Sequence, residues 1–203
     1  MHRTRIVALG DSTTAGTPAF QSPLEAPPNG RGDETSQYSY WLMKAQPDWD
    51  VLNRGVNGER SDQIAARFKR DVIDLAPAAV VIIAGVNDVY QGRAAAAVTG
   101  QLRRMYDFAA HAGIRIVAGT IVPYNTATAD QNDRMHQINA WIRQQVTADP
   151  AVAFVDTRAA VAAAANPDRL SESPDGLHPS PAGYRQMAEV IGPVLKGALR
   201  GIL

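Results

Sequence analysis

A serine, a histidine and an aspartate that together support nucleophilic catalysis stand at widely separated points of the chain. Ser12 follows the apolar run RIVAL, whereas Asp175 and His178 lie three residues apart in DGLH. A serine hydroxyl becomes a nucleophile when a base accepts its proton, and a histidine base needs an acid to fix its tautomer. A spacing of three residues places Asp175 and His178 on one side of a helical turn. The sequence therefore predicts that Asp175 holds Nδ1 of His178 while Nε2 faces Ser12.

Acyl transfer also needs hydrogen-bond donors for the oxyanion of the tetrahedral intermediate. The candidates are the backbone N–H groups of Ser12 and Gly58 and the side-chain amide of Asn87, which stands in GVND. Each motif taken alone is typical of an ordinary turn or loop. Their occurrence together, each after a predicted strand, favours catalysis.

The elements that must position these residues follow from the hydrophobic pattern. Apolar runs predict strands and helical spacing predicts helices between them; the strands are 5–9, 50–53, 79–85, 114–119 and 152–156, and the helices are 61–75, 99–113, 131–146 and 180–199. In the first helix Ile64, Phe68, Val72 and Leu75 share one face, and Ser61 is the expected N-cap. Strands that alternate with helices predict an α/β fold with a parallel sheet covered on both faces.

Ligands of an open parallel sheet bind at the carboxyl ends of its strands. The segments GDS, NRGVNG and GVND all follow predicted strands, and the last strand leads towards SPDGLHPS. These segments are therefore expected to meet at one edge. The pattern contains no repeat and no domain boundary, so we expect residues 1–203 to form a single catalytic domain.

The four segments resemble the blocks of the SGNH hydrolases, also called GDSL esterases and lipases, over about residues 5 to 195. The resemblance of GDST at 10–13 implies Ser12 as nucleophile and oxyanion donor. NRGVNG at 53–58 and GVND at 85–88 imply Gly58 and Asn87 as further donors, and DGLH implies Asp175 and His178 as acid and base. The family fold implied is a flavodoxin-like three-layer αβα sandwich with five parallel strands.

One residue departs from the family pattern. Thr13 stands where the commonest family motif has leucine. Because Thr13 flanks the reacting groups, the departure bears on a preference for lipids more than on activity.

Composition excludes several other classes. The 203 residues include no cysteine, and 20 basic and 20 acidic residues give a net charge of zero. Disulfide frameworks and thiolate sites are excluded, and nothing favours nucleic acid as a partner. No Walker or dinucleotide-binding glycine motif occurs, and no metal or cofactor is expected. No apolar run is long enough for a membrane span. The first residues lack the pattern of a signal peptide, so a cytoplasmic location is expected. A secreted origin is the alternative if a signal peptide has already been removed.

The predicted function is hydrolysis of short-chain acyl or acetyl esters through an acyl-enzyme. Alternatives from the same family are a lysophospholipase or thioesterase and an acyltransferase. A binding domain for a small ligand, without turnover, is an alternative of another class, and so is a phosphate-binding or regulatory domain. The intact serine, histidine and aspartate argue against both.

Two segments are expected to border the substrate pocket. Segment 17–36 follows the nucleophile and offers Phe20 and Leu24 as apolar contacts, and segment 121–134 provides a mostly polar wall. Such a rim suits short acyl groups, including acetyl groups on sugars. Tyr38, Tyr40 and Trp41, which follow segment 17–36, are expected in the core as part of a helix that precedes the strand 50–53.

The remaining titratable candidates are expected to be structural. His2, His111 and His136 are dispersed through the chain and lack metal-ligand spacing. Asp11 is expected to bind nearby backbone groups. The alternative is that Asp11 acts as a second acid. Asp88 is expected to brace its own loop.

Overall fold

The computed structural model describes residues 3–149 and 151–200. Its strands within these residues are β1 Thr4–Gly10, β2 Phe20–Gln21, β3 Arg31–Gly32, β4 Trp49–Gly55, β5 Ala79–Ile83, β6 Arg115–Gly119, β7 Val152–Val155, β8 Ala162–Ala163 and β9 Asn166–Leu170. Its α-helices are α1 Ser12–Ala15, α2 Tyr38–Ala45, α3 Ser61–Ala66, α4 Phe68–Asp71, α5 Val86–Tyr90, α6 Ala95–His111, α7 Ala129–Ala148, α8 Thr157–Val161 and α9 Pro181–Arg200. Short 3-10 turns cover Glu34–Ser36 and Ile73–Leu75.

The five long strands form one parallel sheet in the order β4-β1-β5-β6-β7. Counted among themselves, these strands have the order 2-1-3-4-5 of a flavodoxin-like doubly wound sheet. The predicted α/β fold is thereby confirmed. The strand order reverses between β1 and β5, so the crevice beyond the carboxyl ends of these two strands is the expected ligand site.

Helices cover both faces of the sheet, because the strands are apolar on both sides. In β1, Ile6 and Ala8 pack into a core with α2, α8 and α9, whereas Val7 and Leu9 pack into a core with α3, α6 and α7. Of the aromatic residues predicted for the core in α2, Tyr38 is fully buried, and Tyr40 and Trp41 are half-buried. None of the helices in residues 3–149 and 151–200 is long and apolar enough to cross a membrane.

The segment predicted as one helix over 61–75 is divided into α3, α4 and a 3-10 turn. Three residues of its predicted apolar face, Ile64, Phe68 and Val72, nevertheless have no exposed surface, whereas the fourth, Leu75, is only partly buried. The backbone leaves helical geometry at Arg67, with φ −98° and ψ 5°, and again at Val72. The periodicity predicted the buried face except at Leu75, but the prediction of an unbroken helix was wrong.

Segment 17–36 contains more local structure than its sequence suggests. Its strands β2 and β3 pair with each other, and Gly30 packs closely against the ring of Phe20. The folded segment joins α2 and β4 in lining a cavity of about 410 Å³ at the outer edge of the sheet. Phe20 contributes to this cavity.

Candidate active site

Ser12 lies at the point where β1 passes into α1. Asp11 is the N-cap of α1, and one of its carboxylate oxygens accepts the N–H of Thr13 at 3.0 Å. The turn is tight because Gly10 and Gly55 let the backbones meet: a Cβ on Gly55 would lie 2.1 Å from the nitrogen of Ala15. Ser12 is therefore the first residue of a helix that rests directly on the ends of two strands, with its side chain at the switch point of the sheet.

His178 and Asp175 complete a hydrogen-bonded chain with Ser12. His178 Nε2 is 2.9 Å from Ser12 Oγ, and His178 Nδ1 is 2.7 Å from Asp175 Oδ2. An ionised Asp175 accepts a proton-bearing Nδ1, which leaves Nε2 free to accept the serine proton. The structure thus brings together the serine, histidine and aspartate that the sequence singled out.

The Asp175 carboxylate accepts hydrogen bonds from the backbone as well as from the histidine. Its Oδ1 accepts the N–H groups of Leu177 and His178, each at 2.9 Å. Burial alone would raise the pKa of Asp175, but the hydrogen bonds from His178 and from these two N–H groups hold this pKa below its usual value. Asp175 is therefore ionised at neutral pH, as an acid that orients a histidine must be.

Two residues that sequence reasoning missed hold the turn that carries this pair. Ser173 Oγ donates to the carbonyl of His178 at 2.7 Å and accepts the N–H of Gly176 at 2.8 Å. The N–H of Asn125 donates to the carbonyl of Gly176 at 2.7 Å, and Asn125 Oδ1 accepts the N–H of Leu170 at 2.9 Å. Ser173 could have been predicted from its place within SPDGLHPS. Asn125 could not be predicted from its local sequence, because its hydrogen-bond partners lie far along the chain.

The candidate oxyanion donors lie on neighbouring loops. Asn87, in the first turn of α5, lines the same cleft as Ser12, and its Nδ2 donates to the carbonyl of Glu59 at 3.0 Å. One further N–H of that amide stays available. Gly58 has φ 75° and adjoins the lining residue Asn57, although Gly58 is not itself among the lining residues.

Asp88, in the third motif block, binds the start of α3, which follows the second block. It is fully buried, and its carboxylate accepts the N–H of Ser61 at 2.7 Å and the hydroxyl of Ser61 at 2.9 Å. The N-cap of α3 is Arg60, so the prediction of Ser61 as the cap was wrong: the Ser61 hydroxyl is engaged by Asp88. The Asp88 carboxylate thus braces α3, and it also lies 3.6 Å from NH1 of Arg93, which follows α5.

The cleft around Ser12 has a volume of about 180 Å³. Its lining combines polar groups with apolar and aromatic side chains: Ser12, Thr13, Asn57, Val86, Asn87, Tyr90, Tyr124, Leu177 and His178. Tyr90 and Leu177 are exposed at its mouth, and the Tyr90 ring lies 5.9 Å from that of Tyr124. The cleft is therefore small and more apolar than the sequence suggested.

The expected pocket walls are only partly correct. The lining described for the cleft includes no residue of segment 17–36, so neither Phe20 nor Leu24 is part of it, and Phe20 instead lines the cavity at the outer edge of β4. Its link is indirect, through Glu25 Oε1, which accepts the N–H of Asn57 at 2.8 Å. Segment 121–134 contributes Tyr124.

The other histidines lie away from Ser12. His136 Nε2 lies 2.7 Å from Asp168 Oδ1, and His111 Nδ1 contacts the carbonyl of Asp107. His2 lies outside the described residues. Within residues 3–149 and 151–200, no group of three or more His, Asp or Glu side chains is arranged to hold a metal ion.

Solved structures with the same fold are numerous. A GDSL-like lipase from Bacteroides thetaiotaomicron is 23% identical, with a TM-score of 0.72 over 98% of this chain and 89% of its own. A catalytic mutant of Axe2, an acetylxylan esterase from Geobacillus stearothermophilus, is 22% identical, with a TM-score of 0.73 over 95% and 94%. The protein TesA is 22% identical, with a TM-score of 0.74 over 96% and 99%. At these identities the likeness shows the fold alone.

A comparison with curated protein sequences gives no match. The model of the GDSL-like lipase/acylhydrolase family, in contrast, matches residues 8–186. That range contains Ser12, the loop at Gly58, Asn87 and the Asp175–His178 pair, in the block order expected for SGNH hydrolases. The chain therefore belongs to the GDSL-like lipase/acylhydrolase family and is a hydrolase.

Proposed function

We propose that the chain hydrolyses short-chain carboxylic esters, acetyl esters included, through an acyl-enzyme on Ser12. The observation that carries the proposal is the hydrogen-bonded chain from Asp175 through His178 to Ser12 at the cleft of about 180 Å³. The active unit proposed is a single catalytic domain of residues 1–203, and its partner is a small ester.

In the first half-reaction, Ser12 Oγ attacks the ester carbonyl carbon while its proton passes to His178 Nε2. The carbonyl π electrons move to oxygen, and the resulting oxyanion accepts hydrogen bonds from the N–H groups of Ser12 and Gly58 and from the Asn87 amide. When the intermediate collapses, the bond to the alcohol oxygen breaks. The departing alcohol takes the proton from His178, and the acyl group remains on Ser12.

In the second half-reaction, water takes the place of the alcohol. It gives a proton to His178 Nε2 and attacks the acyl carbon, which forms a second oxyanion at the same donors. Collapse breaks the bond to Ser12 Oγ, which regains its proton from His178 and releases the acid. Asp175 stays ionised throughout and stabilises the imidazolium.

The size and lining of the cleft support a short acyl group. A volume of about 180 Å³ lies below the roughly 300–1,000 Å³ of pockets that enclose drug-sized ligands. Val86 and Tyr124 supply apolar contact inside it, whereas Asn57 and Asn87 keep one side polar. That one structural neighbour is an acetylxylan esterase agrees with acetyl esters as substrates.

A preference for longer acyl chains, as in a lysophospholipase or thioesterase, is the second candidate. Tyr90 and Leu177, two large side chains exposed at the mouth of the cleft, favour it, because an acyl chain could run outward across them. Acyl transfer to an alcohol instead of water would use the same acyl-enzyme.

The test is hydrolysis of p-nitrophenyl esters from acetate to palmitate by the wild type, Ser12→Ala and Ser171→Ala. Ser171 is an exposed serine outside the cleft and serves as the matched control. We expect the highest kcat/KM on acetate or butyrate, loss of the activity in Ser12→Ala and retention in Ser171→Ala. A maximum at palmitate would favour the second candidate. Equal activity of Ser12→Ala, with its fold intact by circular dichroism, would contradict the mechanism.

A further inference from the structure

The predicted helix 61–75 is interrupted at Arg67. The guanidinium group of Arg67 is buried near the cleft and donates three hydrogen bonds. Its NH2 group donates to the carbonyl of Gly10 at 2.9 Å, and its Nε donates to Glu59 Oε2 at 2.6 Å. Its NH1 group donates to Asp71 Oδ2 at 2.9 Å. All three nitrogens of the guanidinium group are thus engaged by three different segments of the chain.

These contacts are shielded from water. The side chain of Arg67 is 8% exposed, that of Asp71 is 4% exposed and that of Glu59 is 20% exposed. Burial alone would raise the pKa of Asp71, but hydrogen bonds from Arg70 and Arg67 hold this pKa below its usual value. Low exposure weakens screening, so the ion pairs of Arg67 restrain their partners more firmly than surface pairs do.

The partners of Arg67 adjoin the proposed catalytic groups on both sides. Gly10 ends β1, and only Asp11 separates it from Ser12. Glu59 directly follows Gly58, and its carbonyl accepts the side-chain amide of Asn87 at 3.0 Å. One guanidinium group therefore links the strand of the nucleophile to the loop that carries one oxyanion donor and orients another.

We propose that Arg67 is a positioning residue that fixes the oxyanion donors Gly58 and Asn87 relative to Ser12. The proposal rests on the acyl-enzyme mechanism above, and it assigns to Arg67 no contact with substrate. Its effect falls on the transition state, because the donors must already point at the developing oxyanion when it forms. Loss of the link should lower kcat and leave KM nearly unchanged.

Lysine cannot replace this arginine. The guanidinium group presents its donors in a rigid planar fork, whereas an ammonium group is a single charged point on a flexible stem. Arg67→Lys keeps the positive charge between Glu59 and Asp71, so the buried carboxylates retain a counter-ion. It gives up the simultaneous contacts to Gly10, Glu59 and Asp71.

The experiment compares Arg67→Lys with Arg70→Lys on p-nitrophenyl acetate. Arg70 is the matched control, because it also binds Asp71 but is 67% exposed, and the hydrogen bonds described for its side chain go to Asp71 and not to Gly10 or Glu59. Active sites are counted by the stoichiometry of labelling with a phosphonate ester. We expect Arg67→Lys to label fully, with kcat lower by about 10-fold or more and KM within about threefold, since a lost oxyanion donor costs about 10²–10³. Arg70→Lys should stay within about twofold of the wild type.

A second variant, Glu59→Ala, cuts the link on its more exposed side while leaving Arg67 paired with Asp71. It should lower kcat in the same way, and it alone tests the proposal if Arg67→Lys does not fold. A wild-type value of kcat per labelled site in the folded variants would overturn the proposal. A loss of activity that is fully explained by a smaller number of labelled sites would also overturn it. If the wild type itself neither labels nor hydrolyses any ester, the proposed function fails first.

Discussion

At the scale of single residues, two histidine–aspartate pairs have the same separation and different surroundings. His178 and His136 each have a ring nitrogen 2.7 Å from a carboxylate oxygen. In the first pair Nδ1 faces the acid, which leaves Nε2 for Ser12 at 2.9 Å. In the second pair Nε2 faces Asp168, which also binds the buried Arg158. Only the first arrangement offers a base to a serine, so separation alone does not identify a catalytic pair.

Asp11 provides a prediction about pH at this scale. Burial, opposed by the hydrogen bond from Thr13 and assisted by the charge of Asp88, raises the pKa of Asp11 to about 7. The folded state then binds more protons than the unfolded state between pH 3.8 and about 7, so the free energy of unfolding falls as the pH rises through this interval. At about 1.36 kcal/mol per unit, the full effect is on the order of 4 kcal/mol.

The variant Asp11→Asn isolates this effect. Its side-chain oxygen can still accept the N–H of Thr13, but the group cannot ionise. We expect the variant to gain stability relative to the wild type as the pH rises from about 4 to about 7, and the gap to stay constant above that. Urea unfolding of both proteins across this range measures the gap. A gap that does not change with pH would contradict the buried, proton-binding Asp11.

At the scale of elements, the close contact of α1 with the strand ends explains why two glycines stand there. Gly55 lies in NRGVNG, a motif that taken alone is typical of an ordinary loop, yet it ends β4 and its Cα lies against the backbone of Ala15. The sequence could not reveal this contact, because it depends on how α1 sits on the sheet. The sequence could not reveal the helix breaks at Arg67 and Val72 either. Apolar spacing indicates which face of a segment is buried, whereas the break at Arg67 accompanies its contacts with residues far along the chain.

We predict that Gly55→Ala lowers both stability and activity. The new Cβ would lie 2.1 Å from the nitrogen and 2.6 Å from the Cα of Ala15, which are backbone atoms that cannot turn away. Overpacking of this kind costs about 3 kcal/mol, and relief by a shift of α1 would move Ser12. The measurements are thermal unfolding and ester hydrolysis at a temperature where the variant is folded.

Gly100→Ala is the matched control for this substitution. Gly100 is exposed on α6, and a Cβ there would meet no heavy atom within 4 Å beyond its chain neighbours and the adjoining helix backbone. Replacing a helical glycine by alanine should stabilise the protein by about 0.5–1 kcal/mol and leave activity unchanged. Equal stability of Gly55→Ala and the wild type would contradict the described contact of α1 with β4.

At the scale of the whole molecule, the parallel sheet and the meeting of the four blocks at one edge could be predicted from the sequence. Strands alternate with helices, and parallel strands share their carboxyl edge, so the order of the segments was sufficient. The walls of the cleft could not be predicted. Segment 17–36 follows Ser12 in sequence, but its strands β2 and β3 pair with each other, and it lines the cavity at the outer edge of β4 instead of the cleft.

The most direct test of the account is covalent labelling by a phosphonate ester, followed by mass spectrometry of the peptide that contains residue 12. Only a serine activated by a base reacts in this way, so labelling probes the chain from Asp175 to Ser12 without assuming a substrate. His178→Gln is compared with His136→Gln, the paired histidine that has no serine partner described. We expect one label per chain, located on Ser12, with labelling lost in Ser12→Ala, strongly slowed in His178→Gln and unchanged in His136→Gln. Labelling elsewhere, or an unchanged rate in His178→Gln, would contradict the account.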